Sequence, residues 1–145
     1  MSTKIFVNLP VKDLDRSIEF FRQIGYEHNP TFTDENGACI VFGDDAYAML
    51  LTEPFFRSFT NRDITDLESS QETITAIGVD SREKVDEVTD KALAAGAQVV
   101  KEPQSEEFMY ARSFTDPDGH HWEFVYMDMN ATDQLSSAEE PPQPS

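Results

Sequence analysis

His121 and Glu123 stand two residues apart in the run His121-Trp122-Glu123-Phe124-Val125-Tyr126, whose alternation is that of a β-strand. Side chains at i and i+2 on a strand share a face, so an imidazole lies beside a carboxylate able to orient it or share its proton. That pair could remove a proton next to a carbonyl. The more ordinary use of two such neighbours is a hydrogen-bonded patch of cavity wall, with Glu123 held by Asn8 or Ser113. A metal site built on the pair needs a further ligand, and His28, the one histidine away from this segment, falls on a different expected strand. Cys39 sits in the apolar run Ala38-Cys39-Ile40-Val41-Phe42, where a thiol behaves as a small hydrophobe, so nucleophilic chemistry has little support. No glycine-rich phosphate loop is present.

What positions the pair is a hairpin. Asp116-Pro117-Asp118-Gly119 suits a type I turn followed by a left-handed glycine in a bulge, which sets Asp116 opposite His120. Extending the register pairs Thr115 with His121, Ser113 with Glu123 and Ala111 with Val125. Those side chains then share one face. Tyr110, Arg112, Phe114, Trp122, Phe124 and Tyr126 share the other and read as core beneath a helix. Arg112 has two readings: paired with a helix carboxylate such as Asp86 or Glu87, or turned by a bulge into the groove to clamp an anionic ligand. His120, at the turn, is expected to be solvated.

The hairpin closes the second of two similar halves. The first begins with the strand Lys4 to Leu9, continues with a helix from Asp13 to Ile24 whose apolar residues are Leu14, Ile18, Phe21 and Ile24, and stops at Gly25. Strands are expected at about His28 to Thr33, Ala38 to Phe42 and Tyr47 to Thr52. The second half repeats the order: a strand from Thr73 to Val79, a helix from Ser81 to Ala95 stopped by Gly96, then strands at about Gln98 to Lys101, Phe108 to Thr115 and His120 to Met127. Between them, Pro54 to Phe59 is expected to make a helical turn. The order βαβββ, twice, gives an α+β domain over 1–128, with modules at about 4–53 and 73–128 and a linker at 54–72. Two half-sheets about a pseudo-twofold axis imply a groove, with Phe6 and Asn8 on its wall.

Phe6-Val7-Asn8-Leu9-Pro10-Val11-Lys12-Asp13-Leu14-Asp15-Arg16-Ser17-Ile18-Glu19-Phe20-Phe21 resembles the strand-to-helix opening of glyoxalase/bleomycin-resistance/extradiol-dioxygenase proteins, the vicinal oxygen chelate superfamily. Phe114-Thr115-Asp116-Pro117-Asp118-Gly119-His120-His121-Trp122-Glu123-Phe124 resembles its closing hairpin. The likeness spans about Lys4 to Met127. It implies two βαβββ modules with helices outside curved sheets, a homodimer, and four metal-ligand positions near Phe6, Leu51, Ile74 and Glu123. Three of those four side chains have no lone pair to offer. The strand Ile5 to Leu9 contains no His, Asp, Glu or Cys, Ala46 to Thr52 offers a thioether and a phenol, and Thr73 to Val79 offers hydroxyls. A slip of register does not restore the site.

These residues together lead to a metal-free groove for a small organic molecule, lined by Phe6, Asn8, Met49, Leu51 and Ser113, with Arg112 as a further ligand-binding candidate and His121 and Glu123 as the catalytic candidates. No cofactor is expected. If the protein is an enzyme, the resemblance implies a lactoylglutathione-lyase-like lyase or isomerase, or a dioxygenase. The alternative is a metal-dependent enzyme of that type with an unusual ligand set; a third reading is an assembly domain whose groove is filled by Phe6 and the Phe55-Phe56 segment.

Composition narrows the partners. Twenty-eight acidic against eleven basic residues give a net charge of −17, which repels nucleic acid and anionic membranes. One cysteine, no run of about 20 apolar residues and no secretory pattern at Met1 to Lys4 fit a cytoplasmic protein. The stretch 129–145, acidic and containing Pro141-Pro142-Gln143-Pro144, has almost no apolar side chains and is expected to be a disordered tail.

Overall fold

The computed structural model describes residues 3–128 and 130; apart from residue 130, the expected acidic tail lies outside the described residues. Alternation in the opening segment produces β1 (Ile5–Val11), with Val7, Leu9 and Val11 turned to the core and Phe6 and Asn8 turned away. Helix α1 (Leu14–Gln23) starts where the Asp13 carboxylate accepts from the Arg16 backbone N–H at 3.1 Å. It buries Phe20 and Phe21, and Ile24 at its C-cap is fully buried. Gly25, at φ +106°, ends it; Gly96, at φ +104°, ends α3 (Arg82–Ala94) in the same way.

The first sheet is completed by β2 (His28–Asn29), β3 (Gly37–Val41) and β4 (Ala46–Thr52), in the order β1-β4-β3-β2. The strand expected from His28 to Thr33 is only two residues long. Pro30 has no N–H for a ladder, and a 3-10 turn, Pro30–Phe32, begins there with the Asn29 side chain accepting from Thr31 N–H at 2.9 Å. Helix α2 (Glu53–Arg57) is the turn anticipated after β4.

The second sheet has the matching order β5-β9-β8-β6, built from β5 (Ile74–Gly78), β6 (Gln98–Val99), β8 (Met109–Thr115) and β9 (His121–Met127). One further piece, β7 (Gln104–Glu106), also pairs with β8, so the edge position is shared by two short strands. The hairpin has the anticipated register: Thr115 opposite His121, Ser113 opposite Glu123, Ala111 opposite Val125.

How the halves meet differs from a simple groove. The helix-bearing faces of both sheets contribute to one core, in which Phe21 meets Trp122 edge-on at 5.2 Å and Phe20 lies 6.1 Å from Phe114. Trp122, Phe114 and Phe124 are fully buried there and are among the largest buried side chains, so their apolar area stabilises this core strongly. The opposite faces of the two sheets therefore point away from this shared core. Among the described residues, no helix is long and apolar enough to cross a membrane.

Candidate functional site

The hairpin turn holds the halves together through its carboxylates. Asp118, its side chain 4% exposed, accepts from Lys12 N–H at 2.9 Å, from Arg16 at 3.2 Å and from the Ser17 hydroxyl at 3.1 Å. A turn of the second half thus caps the first helix of the first half. Gly119 takes φ +93°, and Leu67 of the linker packs so closely that a Cβ at Gly119 would lie 3.1 Å from its Cβ. A side chain at this position would be strained by the backbone angle and crowded by Leu67 together, which favours glycine.

Asp116 is buried beneath the turn. Its Oδ1 accepts from the backbone N–H groups of Asp118 and His120, and its Oδ2 accepts from Trp122 Nε1 at 2.9 Å. Burial pushes its carboxyl pKa up, against the opposing pull of His120 and the Trp122 bond. His120 is not solvated as expected: it is 6% exposed, with Nε2 2.6 Å from the Pro10 carbonyl oxygen. A carbonyl offers no proton, so the ring must donate here. Asp116 and His120 were invisible as a site because the turn pattern accounts for their residue types without any buried role.

The expected site residues fall into two groups. Phe6, Asn8, Met49 and Leu51 share the outward face of the first sheet, where Asn8 pairs with Met49 and Phe6 with Tyr47. Ser113, His121 and Glu123 share the outward face of the second, where Ile74 pairs with His121 and Ala76 with Glu123. Among the described residues no hydrogen bond, ion pair or ring contact joins one group to the other. Phe6 is 48% exposed, but Leu51 is buried: a Cβ added at Gly37 would meet its Cδ2 at 2.9 Å. Phe6, Asn8 and Met49 therefore carry the open part of that face.

Arg112 belongs to neither group. Its guanidinium pairs with Asp86 at 2.9 Å and Asp90 at 3.0 Å on α3, with Tyr110 donating to the same Asp86 at 2.7 Å. The placement of Arg112 in a groove is thereby corrected: no bulge interrupts β8 there, so alternation puts the side chain on the helix side. Glu123 does not bond to Asn8 or Ser113 either. Asn8 donates instead to the Phe6 carbonyl at 3.1 Å, and Glu123 has no hydrogen-bond partner among the described residues.

The pairing also tests the metal positions. Phe6 with Tyr47 and Asn8 with Met49 in the first sheet correspond to Ile74 with His121 and Ala76 with Glu123 in the second. Met49, rather than Leu51, is thus the counterpart of Glu123. The set Phe6, Met49, Ile74 and Glu123 contains one hard donor and does not fit a divalent ion. His28 pairs with Ile40 in the first sheet, and among the described residues no group of three His, Cys, Asp or Glu side chains gathers to hold a metal ion.

A cavity of about 410 Å³ opens between β1 and the linker, lined by Asn8, Pro10, Phe56, Ile64, Leu67 and His120. A second, of about 540 Å³, lies across the turn beside Lys12, Arg16, Arg57 and Pro117. Ile64, Thr65 and Leu67 of the linker wall both, a contribution that its polar, patternless sequence does not announce.

Comparison with known proteins agrees with this architecture. A hypothetical protein from S. aureus is 28% identical, superposes with a TM-score of 0.73 and is matched over 87% of this chain and 94% of its own. A fosfomycin resistance protein, FosX from Mesorhizobium loti, is 14% identical over 93% of this chain and 98% of its own, with a TM-score of 0.65. A bleomycin-binding protein complexed with bleomycin is 18% identical over 86% and 98%, with a TM-score of 0.60. These last two likenesses are of fold. No curated protein matches the chain. The family model for the glyoxalase/bleomycin resistance protein/dioxygenase superfamily matches residues 5–124, and the chain, with two βαβββ-type halves in matching strand order, belongs to that superfamily.

Proposed function

We propose that this protein is a cytoplasmic homodimer that binds a small organic molecule without a metal ion. The open face of the first sheet in one copy, with Phe6, Asn8 and Met49, meets the open face of the second sheet in the other, with Ser113, His121 and Glu123. Each dimer then has two grooves. The observation that carries this reading is the division of the site residues between two outward faces that also carry exposed apolar side chains: Phe6, 48% exposed, on the first, and Ile74, 60% exposed, with Met127, 42% exposed, on the second. Exposed apolar residues that cluster on a sheet edge favour association.

Within such a groove, His121 and Glu123 remain candidates for moving a proton. The chemistry of the donor set favours binding over Lewis-acid catalysis, because Phe6, Met49 and Ile74 hold no ion. Native mass spectrometry of freshly purified full-length protein tests this directly. The expected spectrum is a dimer, with co-purified organic mass or none, and no stoichiometric metal. One bound ion per chain, lost in Glu123→Ala, would overturn the metal-free reading, and a monomer at all concentrations would overturn the shared groove. A thermal-shift screen of small organic compounds is expected to find stabilising ligands.

A further inference from the structure

We infer that the ligand class is a planar organic cation, a deduction that rests on the shared groove proposed above. Phe6 and Tyr47 stack with centroids 4.7 Å apart and planes within 11° of parallel, and half of Phe6 is exposed. Tyr47 is held in place by its hydroxyl, which donates to the Asp44 carbonyl at 2.7 Å. A fixed ring pair with one free face is a platform on which a third flat ring adds an offset-stacked contact.

Charge selects the kind of ring. The outward side chains of β8 and β9 include no Lys or Arg once Arg112 is assigned to α3, and those of β1 and β4 include none either. Lys4, at the edge of the platform, lies with its ammonium 5.7 Å from the Tyr47 ring centroid and is neutralised there by the Asp44 carbonyl and the Asp45 carboxylate, which leaves Phe6 as the open aromatic face. Glu123 is half-buried with no hydrogen-bond partner among the described residues, so it presents an uncompensated carboxylate to the groove. The chain as a whole carries −17. A positive ring gains from the open Phe6 face and from the carboxylate together, whereas an anion meets repulsion from both the residue and the field.

The test compares three flat tricyclic probes on the full-length protein by calorimetry: proflavine, a cation; acridone, neutral; and 2-anthroate, an anion. Proflavine is expected to bind about tenfold or more tighter than either of the others. Glu123→Gln should remove that preference while sparing acridone, because a charge-assisted contact of this kind is worth about 10- to 100-fold. Phe6→Ala should weaken all three by about tenfold, with Phe6→Leu as the check that apolar volume alone does not restore the stack. Equal binding of acridone or 2-anthroate by a dimer would overturn the cation assignment and leave the groove standing. A proflavine preference that survives both substitutions marks adsorption to an acidic surface and equally overturns it. A monomer that binds none of the three sinks the groove reading and the assignment with it.

Discussion

Asp116 shows how a single buried carboxyl sets both stability and its pH dependence. Trp122→Phe keeps most of the ring volume but leaves Asp116 Oδ2 without its indole donor. Loss of a partner by a buried charged acceptor costs about 1–3 kcal/mol, which urea denaturation should read as a lower midpoint at an unchanged slope. Burial raises the Asp116 pKa above its ordinary value, so the folded state binds this proton more readily than the unfolded chain does. Its protonated form therefore favours folding below the ordinary carboxylate pKa, and that contribution fades as pH rises through the folded value. Measured against Asp116→Asn, in which the other carboxylates cancel, the wild-type advantage is expected to shrink as pH rises from about 3.5 to 7. An advantage that grew with pH would mean the three donors around Asp116 outweigh its burial.

Among the elements, the hairpin turn and α1 depend on one another. Asp118→Ala strips the cap from Lys12 N–H and the partner from Ser17, so we expect a loss of about 1–3 kcal/mol and faster amide exchange in the first turn of α1 than in α3. Arg112→Met, by contrast, removes ion pairs whose acidic partners are 47% and 67% exposed, so it should cost about 1 kcal/mol or less and leave ligand binding unchanged. Much of this level was legible in the sequence. The turn Asp116-Pro117-Asp118-Gly119 admits few geometries, so the β8–β9 register and the sorting of Phe114, Trp122 and Phe124 to one face followed from it. Short edge strands were not legible. Gln104-Ser105-Glu106 has no apolar alternation, and β7 exists because the free edge of β8 offers it hydrogen bonds. Nor did any local pattern disclose that Asp118 reaches Lys12, because period and propensity describe neighbours in sequence and this contact spans 106 positions.

For the whole molecule, what alternation leaves open is the surface that each face meets. Period 2 places Phe6 with Asn8, and Ser113 with Glu123, but two modules can join face to face, edge to edge or through their helices, and each choice satisfies the same pattern. Here the aromatic residues decide: Phe20, Phe21, Phe114, Trp122 and Phe124 gather in one core between the helix-bearing faces, which turns the opposite faces outward. On the shared-groove reading, a second copy of the chain completes those faces. β1 and β5 are the terminal strands of their sheets and carry Ile5, Phe6 and Ile74 exposed, the kind of edge that a monomer would blunt with charge. Ile74→Asp supplies that charge at a position touching none of the core. If the shared groove is right, the substitution buries an unpaired carboxylate in the dimer and raises its dissociation constant by at least about a hundredfold. Sedimentation should then find monomers whose far-UV circular dichroism matches the wild type, and the thermal shift given by any groove ligand should vanish in the same samples. A dimer that withstands Ile74→Asp unchanged would place the interface elsewhere and return His121 and Glu123 to an open surface.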